Sequence, residues 1–377
     1  MSWDITGMGA LACVGGTPAG IFDSLCAGRG GLGPLQVFDH EKYRARQAYE
    51  IHDRARPGVD EPGRATRWLL AAIDQALADA GHPEDLAEVP VLVGTTLQEQ
   101  RSAELWWREG APLEPDALHF GTALRERYGA TRTYTFANAC AATLYALAMG
   151  TDLIELGEAD TVVVAGTDAI GESAFGTLDR VQNDVPEALR PFDRSHRGML
   201  MGEGAVAVVL TREAAPGRRV HGRLRAVGMN CDAQHSTAPD PEGIARVLRE
   251  THRRAEIDPG DIDLVLLHGS GTPKNDSTEA AVLSQMFPAP GGPLMTAIKS
   301  MTGHTLGGSG LLSLAMGALA LQRGQVPPVL GLTDPIEEAA GLRLVREEAA
   351  TAELGLAQID AFGFGGINAA AILEAAR

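Results

Sequence analysis

Leu147-Ala-Met-Gly150 returns as Leu314-Ala-Met-Gly317, 167 residues later, and Gly157 returns as Gly324 at the same offset. A second pair of stretches, from Pro83-Glu-Asp-Leu to Val-Leu-Val-Gly94-Thr and from Pro259-Gly-Asp-Ile to Val-Leu-Leu-His-Gly269-Ser, lies at offsets of 176 and 175. Several matches in one order predict a duplicated chain, with halves 1–215 and 216–377. Val91–Gly94, Thr161–Gly166 and Asp263–Leu267 are continuous apolar runs that alternate with helical stretches such as Thr66–Ala80 and Cys140–Leu156. Strands apolar on both faces and separated by helices belong to sheets covered on both sides. The sequence therefore predicts an α/β protein of two pseudo-equivalent halves packed as one body.

Composition closes off several functions. The formal net charge is −17, which disfavours nucleic acid and anionic membrane surfaces as partners. No run approaches the roughly 18 apolar residues that span a bilayer. The N-terminal Met-Ser-Trp-Asp-Ile-Thr-Gly lacks the basic region of a signal peptide. Cysteines 13, 26, 140 and 231 have no metal-binding or disulfide spacing, which suits a reducing cytoplasm. Of the 32 basic residues only Lys42, Lys274 and Lys299 are lysines, so each is a position to account for.

Cys140 lies where texture changes. Thr-Arg-Thr-Tyr-Thr-Phe-Ala-Asn-Ala (131–139) is strand-like, and Ala-Ala-Thr-Leu-Tyr-Ala-Leu-Ala-Met-Gly (141–150) is small, apolar and helix-forming. A cysteine there is either a small core residue or a nucleophile whose pKa the helix terminus lowers. Two histidine loops in the second half favour the nucleophile. His268-Gly-Ser-Gly-Thr-Pro-Lys-Asn-Asp-Ser-Thr-Glu279 follows a strand, and sites in open α/β sheets form at the carboxyl ends of strands. Lys299-Ser-Met-Thr-Gly-His304 follows another expected strand, Leu294–Ile298, and enters the helix that corresponds to the one at Cys140. Near the C-terminus, Phe362-Gly-Phe-Gly-Gly-Ile-Asn368 reads either as a tight hairpin or as a turn aiming backbone N–H groups at a developing oxyanion.

These motifs, with Ile5-Thr-Gly-Met-Gly, Ala139-Cys140 and Arg190-Pro-Phe-Asp-Arg through Gly198-Met-Leu-Met-Gly-Glu-Gly-Ala205, resemble the elongating β-ketoacyl-acyl carrier protein synthases of the thiolase superfamily. The resemblance spans nearly the whole chain and implies a five-layered αβαβα thiolase fold with a Cys140, His268, His304 catalytic set. It implies a decarboxylative Claisen condensation: Cys140 takes an acyl group from a carrier thioester, and the histidines stabilise the enolate formed from a malonyl-type thioester. It assigns the oxyanion hole to the backbone N–H groups of Cys140 and Phe364, supporting roles to Lys299 and Glu279, and pantetheine contacts to Ser270 and Thr272. No metal or external cofactor is required by that chemistry. The implied partners are an acyl carrier protein and a second ketosynthase-like chain, as homodimer or heterodimer, joined through the strand at about 131–137.

Departures from the family pattern bear on specificity. Asn275 stands in place of a glycine, Ile367 in place of a threonine, and Met199 where a phenylalanine commonly lines the acyl pocket. The segment 97–130 is shorter than usual and carries Trp106-Trp107, one of which is expected to close the far end of that pocket. The altered cap favours a discrete polyketide ketosynthase over a fatty-acid enzyme. An ester- or amide-forming acyltransferase that does not decarboxylate and a non-catalytic partner subunit are the competing readings. The intact histidines weigh against the first and the intact cysteine against the second. Carrier docking in so acidic a chain calls for a local basic cluster, expected at Arg44, Arg46, Arg54, Arg56, Arg64 and Arg67.

Overall fold

The computed structural model describes residues 2–288 and 290–376. Its main sheet takes β1 (Trp3–Ala12), β2 (Val91–Gly94), β3 (Thr133–Phe136), β4 (Thr161–Asp168) and β5 (Gly204–Thr211) from the first half of the chain. The second half supplies β6 (Gly222–Cys231), β7 (Leu264–Leu266), β8 (Leu294–Thr296), β9 (Arg343–Leu344), β10 (Leu356–Gly363) and β11 (Ile367–Glu374). The order across the sheet is β3-β2-β4-β5-β1-β6-β11-β10-β7-β8-β9. Outward from the centre, β1, β5, β4, β2 and β3 on one side mirror β6, β11, β10, β7 and β8 on the other. The duplication in the sequence is thus a duplication of topology, with β9 an added edge. Among the described residues, only the start of β1 bridges the two half-sheets, through Trp3, Asp4 and Ile5 opposite Leu224, Arg223 and Gly222.

Ten helices, among the described residues, complete the layers: α1 (Pro18–Cys26), α2 (Arg64–Ala80), α3 (Gln100–Glu109), α4 (Phe120–Tyr128), α5 (Ala142–Glu155), α6 (Glu172–Val181), α7 (Pro241–Ala255), α8 (Pro273–Met286), α9 (Lys299–Thr302) and α10 (Ser309–Arg323). Successive strand residues point to opposite faces, so each fully apolar strand feeds two cores. Leu92 and Val164 pack inward with Leu144 and Leu147 of α5 and Leu311 and Leu314 of α10. Val91, Val93 and Val163 pack outward against Trp68, Leu69 and Ile73 of α2. On the other flank, Val265 and Ile372 meet Ile244 and Leu248 of α7 and Leu283 of α8. The result is the αβαβα layering expected of a thiolase fold. Each of these fully buried aliphatic side chains contributes about 2 kcal/mol of burial free energy, and in the central α5–α10 layer every residue of α10 from Ser309 to Leu321 is buried.

That layer positions the site. A Cβ at Gly94 would lie 2.5 Å from the backbone nitrogen of Thr143, so glycine there lets the first turn of α5 lie directly on the end of β2. Strand ends differ modestly from expectation. β4 runs on to Asp168, whereas β8 stops at Thr296 because Ala297 and Ile298 already turn into α9. No helix of the described residues is long and apolar enough to cross a membrane.

Candidate active site

Cys140 is buried in a short 3-10 turn, Ala139–Ala141, between β3 and α5. The turn is sharp enough to force Ala139 to φ +47°, a left-handed conformation that costs a non-glycine residue free energy. Leu306, 167 residues later, adopts φ +49° in the matching turn before α10. The two bends face each other: Ser309 Oγ donates to the Cys140 carbonyl at 3.4 Å, and Thr143 Oγ1 donates to the Gly307 carbonyl at 2.8 Å.

His268 leaves the end of β7 and is held by its backbone. Its N–H donates to Glu279 Oε1 at 2.7 Å, and its carbonyl accepts from Lys299 Nζ at 2.6 Å. Glu279 Oε2 also accepts from the Gly269 N–H at 2.9 Å and from Asn275 Nδ2 at 3.0 Å. Asn275 sits inside α8 rather than in a left-handed turn; what it adds over glycine is a donor to Glu279. His304 lies between α9 and α10, with its ring centroid 5.4 Å from that of His268. The Leu306 N–H points at His304 Nδ1 at 3.2 Å, which makes Nδ1 the acceptor and places the proton on Nε2. His304 Nε2 is then a buried donor without a protein partner, and His268 Nδ1 is likewise buried and unpartnered.

Electrostatics keep both rings neutral. Burial, then the Lys299 charge, and for His268 also the neighbouring His304, hold both imidazoles well below their ordinary pKa. Burial lowers Lys299 to about 8 and raises Glu279 to about 7, while each favours the charge on the other. At Cys140 the expectation of a lowered pKa is overturned. Burial pushes the thiol up to about 11, and the Lys299 charge and the N–H groups of Phe364 and Cys140 only partly offset this. Desolvation of a buried sulfur outweighs a helix terminus that begins beyond it. The rate of Cys140 alkylation by iodoacetamide should therefore climb about tenfold per pH unit between pH 7 and 9, following the thiolate fraction. A plateau reached below pH 8 would contradict this.

The turn joining β10 to β11 closes the site. Gly363 approaches so closely that a Cβ there would lie 3.3 Å from the Cys140 nitrogen, and Gly365 and Gly366 hold φ +85° and +76°. The glycine-rich motif is thus a tight hairpin that also carries the Phe364 N–H to the sulfur. Phe362 is buried beside His268, whereas Phe364 is 43% exposed at the junction of three cavities. One holds Cys140, His268, His304, Ser270 and Thr272. A second leads from Cys140 past Met199, Met201, Ala174 and Leu178. The third leads outward past Thr272 to Lys274.

Three other expectations need correction or addition. Trp106 and Trp107 are 53% and 80% exposed, and neither lines a cavity at Cys140, because α3 turns Arg101, Ser102 and Leu105 inward. The second cavity is walled by α6 instead, so Ala174→Leu should shorten the acyl chain accepted, with each excluded CH₂ worth ~0.8 kcal/mol; an unchanged chain-length profile in loading assays would refute that wall. The arginine cluster is a free basic face only in part. The side chains of Arg54 and Arg64 are buried, pairing with Glu203 at 3.0 and 3.2 Å, and Arg44 and Arg67 pair with Asp179 and Asp53 at 3.6 and 3.5 Å; Arg46 and Arg56 are exposed and, among the described residues, make no ion pair. Sequence reasoning also missed Asp168, the fully buried end of β4, which accepts from Thr95 Oγ1 and from the N–H groups of Thr96, Leu97 and Gly307. It ties loops from both halves together beside Cys140; its only sequence signal was a polar residue ending an apolar strand.

Comparison with known proteins agrees with this geometry. Residues 4–215 match the model of the β-ketoacyl synthase N-terminal domain, and residues 221–333 match that of the C-terminal domain. The chain belongs to the β-ketoacyl synthase family. Among relatives of this β-ketoacyl synthase is the tetracenomycin polyketide synthase ketoacyl synthase alpha subunit of Streptomyces glaucescens, 30% identical over 98% of this chain and 96% of that one. The 3-oxoacyl-[acyl-carrier-protein] synthase 2 of Coxiella burnetii is 27% identical over 98% and 97%. The solved ishigamide ketosynthase/chain length factor superimposes with a TM-score of 0.90 at 31% identity, covering 100% of this chain and 99% of that one.

Proposed function

We propose that this enzyme is a discrete ketosynthase, acting in polyketide or fatty-acid biosynthesis, that joins an acyl group on Cys140 to a malonyl-type unit with loss of CO₂. The observation that carries the reading is the His304 tautomer: its Nε2–H is a buried donor with no protein partner, in the cavity that also holds Cys140 and His268. In the first half-reaction, the Cys140 sulfur attacks the carrier thioester. The new C–S bond forms as the old one breaks, and the thiol proton leaves on the carrier's sulfur. The N–H groups of Cys140 and Phe364 receive the oxyanion. In the second, the malonyl thioester enters, its C–CO₂ bond breaks, and the electron pair moves onto the thioester oxygen as an enolate. Neutral imidazoles donate to that oxygen without carrying a proton into the leaving CO₂. The enolate carbon then attacks the acyl carbonyl and Cys140 leaves as thiolate. Lys299 and Glu279 act through the His268 backbone as positioning residues, and Ser270 and Thr272 line the path of a pantetheine arm.

The partners follow from the same reading: an acyl carrier protein brings both thioesters, and a second ketosynthase-like chain covers β3. That strand ends the main sheet with Tyr134 exposed, and an uncovered edge is a pairing surface. The halves 1–215 and 216–377 each supply part of the site, and four free cysteines suit a cytoplasmic enzyme. Labelled malonyl carrier supplied with an acyl-loaded enzyme should release CO₂ and yield a β-ketoacyl carrier. Loading of Cys140 without any CO₂ release would transfer the assignment to a non-decarboxylating acyltransferase. Sedimentation should give a dimer at micromolar concentration, whereas a stable monomer would remove β3 as an interface.

A further inference from the structure

Lys274 is one of three lysines in the chain and the one that neither the fold nor the proposed chemistry employs. It is exposed in the first turn of α8 and, among the described residues, makes no ion pair or hydrogen bond. A cation there is placed against the positive end of the helix dipole, where acidic residues are favoured. The one acid of that turn, Asp276, does not compensate. Its carboxylate is buried and turned inward, accepting from the N–H groups of Gly271 and Phe192 and lying 3.1 Å from His196 Nδ1. The other cation of this cavity wall, Arg197, is already paired with Asp184 at 3.5 Å. Lys274 is therefore an uncompensated positive charge at an unfavourable position, and what it faces is a channel.

The channel is continuous by its lining. Thr272, Thr237 and Phe364 belong both to the cavity holding Cys140 and to the outer cavity holding Lys274. An arm whose thioester sulfur sits at Cys140 would pass Ser270 and Thr272 and present its outer end to Lys274. On the carrier's arm the group that terminates the pantetheine is a phosphate, an anion that a lysine binds as a point charge. We propose that Lys274 anchors the phosphate of the phosphopantetheine arm and so sets how deeply the thioester reaches. The inference rests on the proposed ketosynthase reading and adds to it a phosphate contact that the chemistry at Cys140 does not itself require.

Protection of Cys140 from iodoacetamide by 4′-phosphopantetheine and by pantetheine, two probes that differ only in the phosphate, tests it. With wild-type protein the phosphorylated probe should protect at roughly 2- to 5-fold lower concentration, the gain of an exposed ion pair, and the advantage should shrink with added salt. Lys274→Ala should reduce the ratio of the two protecting concentrations to about one, and Lys274→Arg should keep it above one. Equal protection by both probes in the wild type, or an advantage that survives in Lys274→Ala, overturns the phosphate contact while leaving the ketosynthase reading intact. Protection by neither overturns the channel, and with it the path assigned to the arm.

Discussion

Cys140→Ala should abolish covalent loading. Incubation of the wild type with acyl-carrier thioesters should add one acyl mass, located on the peptide containing Cys140; the variant should show none, and condensation should fall by ~10⁴-fold or more, as when a covalent nucleophile is removed. The structure sharpens this expectation. The other cysteines stand apart from the cavity: Cys13 is half-buried, and desolvation raises its pKa to about 12, Cys26 lies at the end of α1, and Cys231 is exposed with its thiol donating to the Gly365 carbonyl. None lines the cavity with both histidines. Release of CO₂ from malonyl carrier should fall far less, because the enolate is stabilised by His268 and His304. An adduct on any other cysteine, or full condensation by the variant, would remove the basis of the mechanism.

How much of this could be read from the sequence depended on whether a feature is local. The Cys140 turn, the two histidine loops and the glycine-rich hairpin are local, since each is a strand end followed by small residues that permit one bend. The repeat offset located them relative to one another, and the mirrored strand order explains why: the turns at Cys140 and Gly307 are the same bend in two copies of one topology. What depended on tertiary context was misread or missed. Bulk alone points one of Trp106 and Trp107 into the pocket, but the phase of α3, fixed by buried Arg101 and Leu105, turns both to solvent. Arg54 and Arg64 read as surface charge because Glu203, which both reach, lies far along the chain, and nothing in the spacing of the nearer Glu50 and Asp60 records that they are buried. The thiol's raised pKa belongs to burial, which no spacing of residues records.

His304→Ala should separate the two half-reactions. Its Nε2–H is the donor whose direction is fixed by the Leu306 N–H, so truncation removes both a hydrogen bond to the enolate oxygen and the group that fills that corner of the cavity. Losing one preorganised donor costs about 10²- to 10³-fold in the step where charge develops. That loss should appear in CO₂ release and in condensation. Loading of Cys140 should slow by less than tenfold, because its oxyanion is received by backbone N–H groups that the substitution leaves in place. His304→Gln should recover part of the loss, since its amide nitrogen can donate from nearly the position of Nε2 without titrating. The neutral ring also fixes the pH behaviour. With its pKa held well below 6.5, His304 stays a neutral donor across pH 6–8, and CO₂ release by the pre-loaded enzyme should show no acidic limb from this group in that range. A loss near pH 6.5 that disappears in His304→Gln would mean that the imidazole is protonated in the working enzyme. Equal slowing of loading and CO₂ release would place His304 at the cysteine rather than at the enolate.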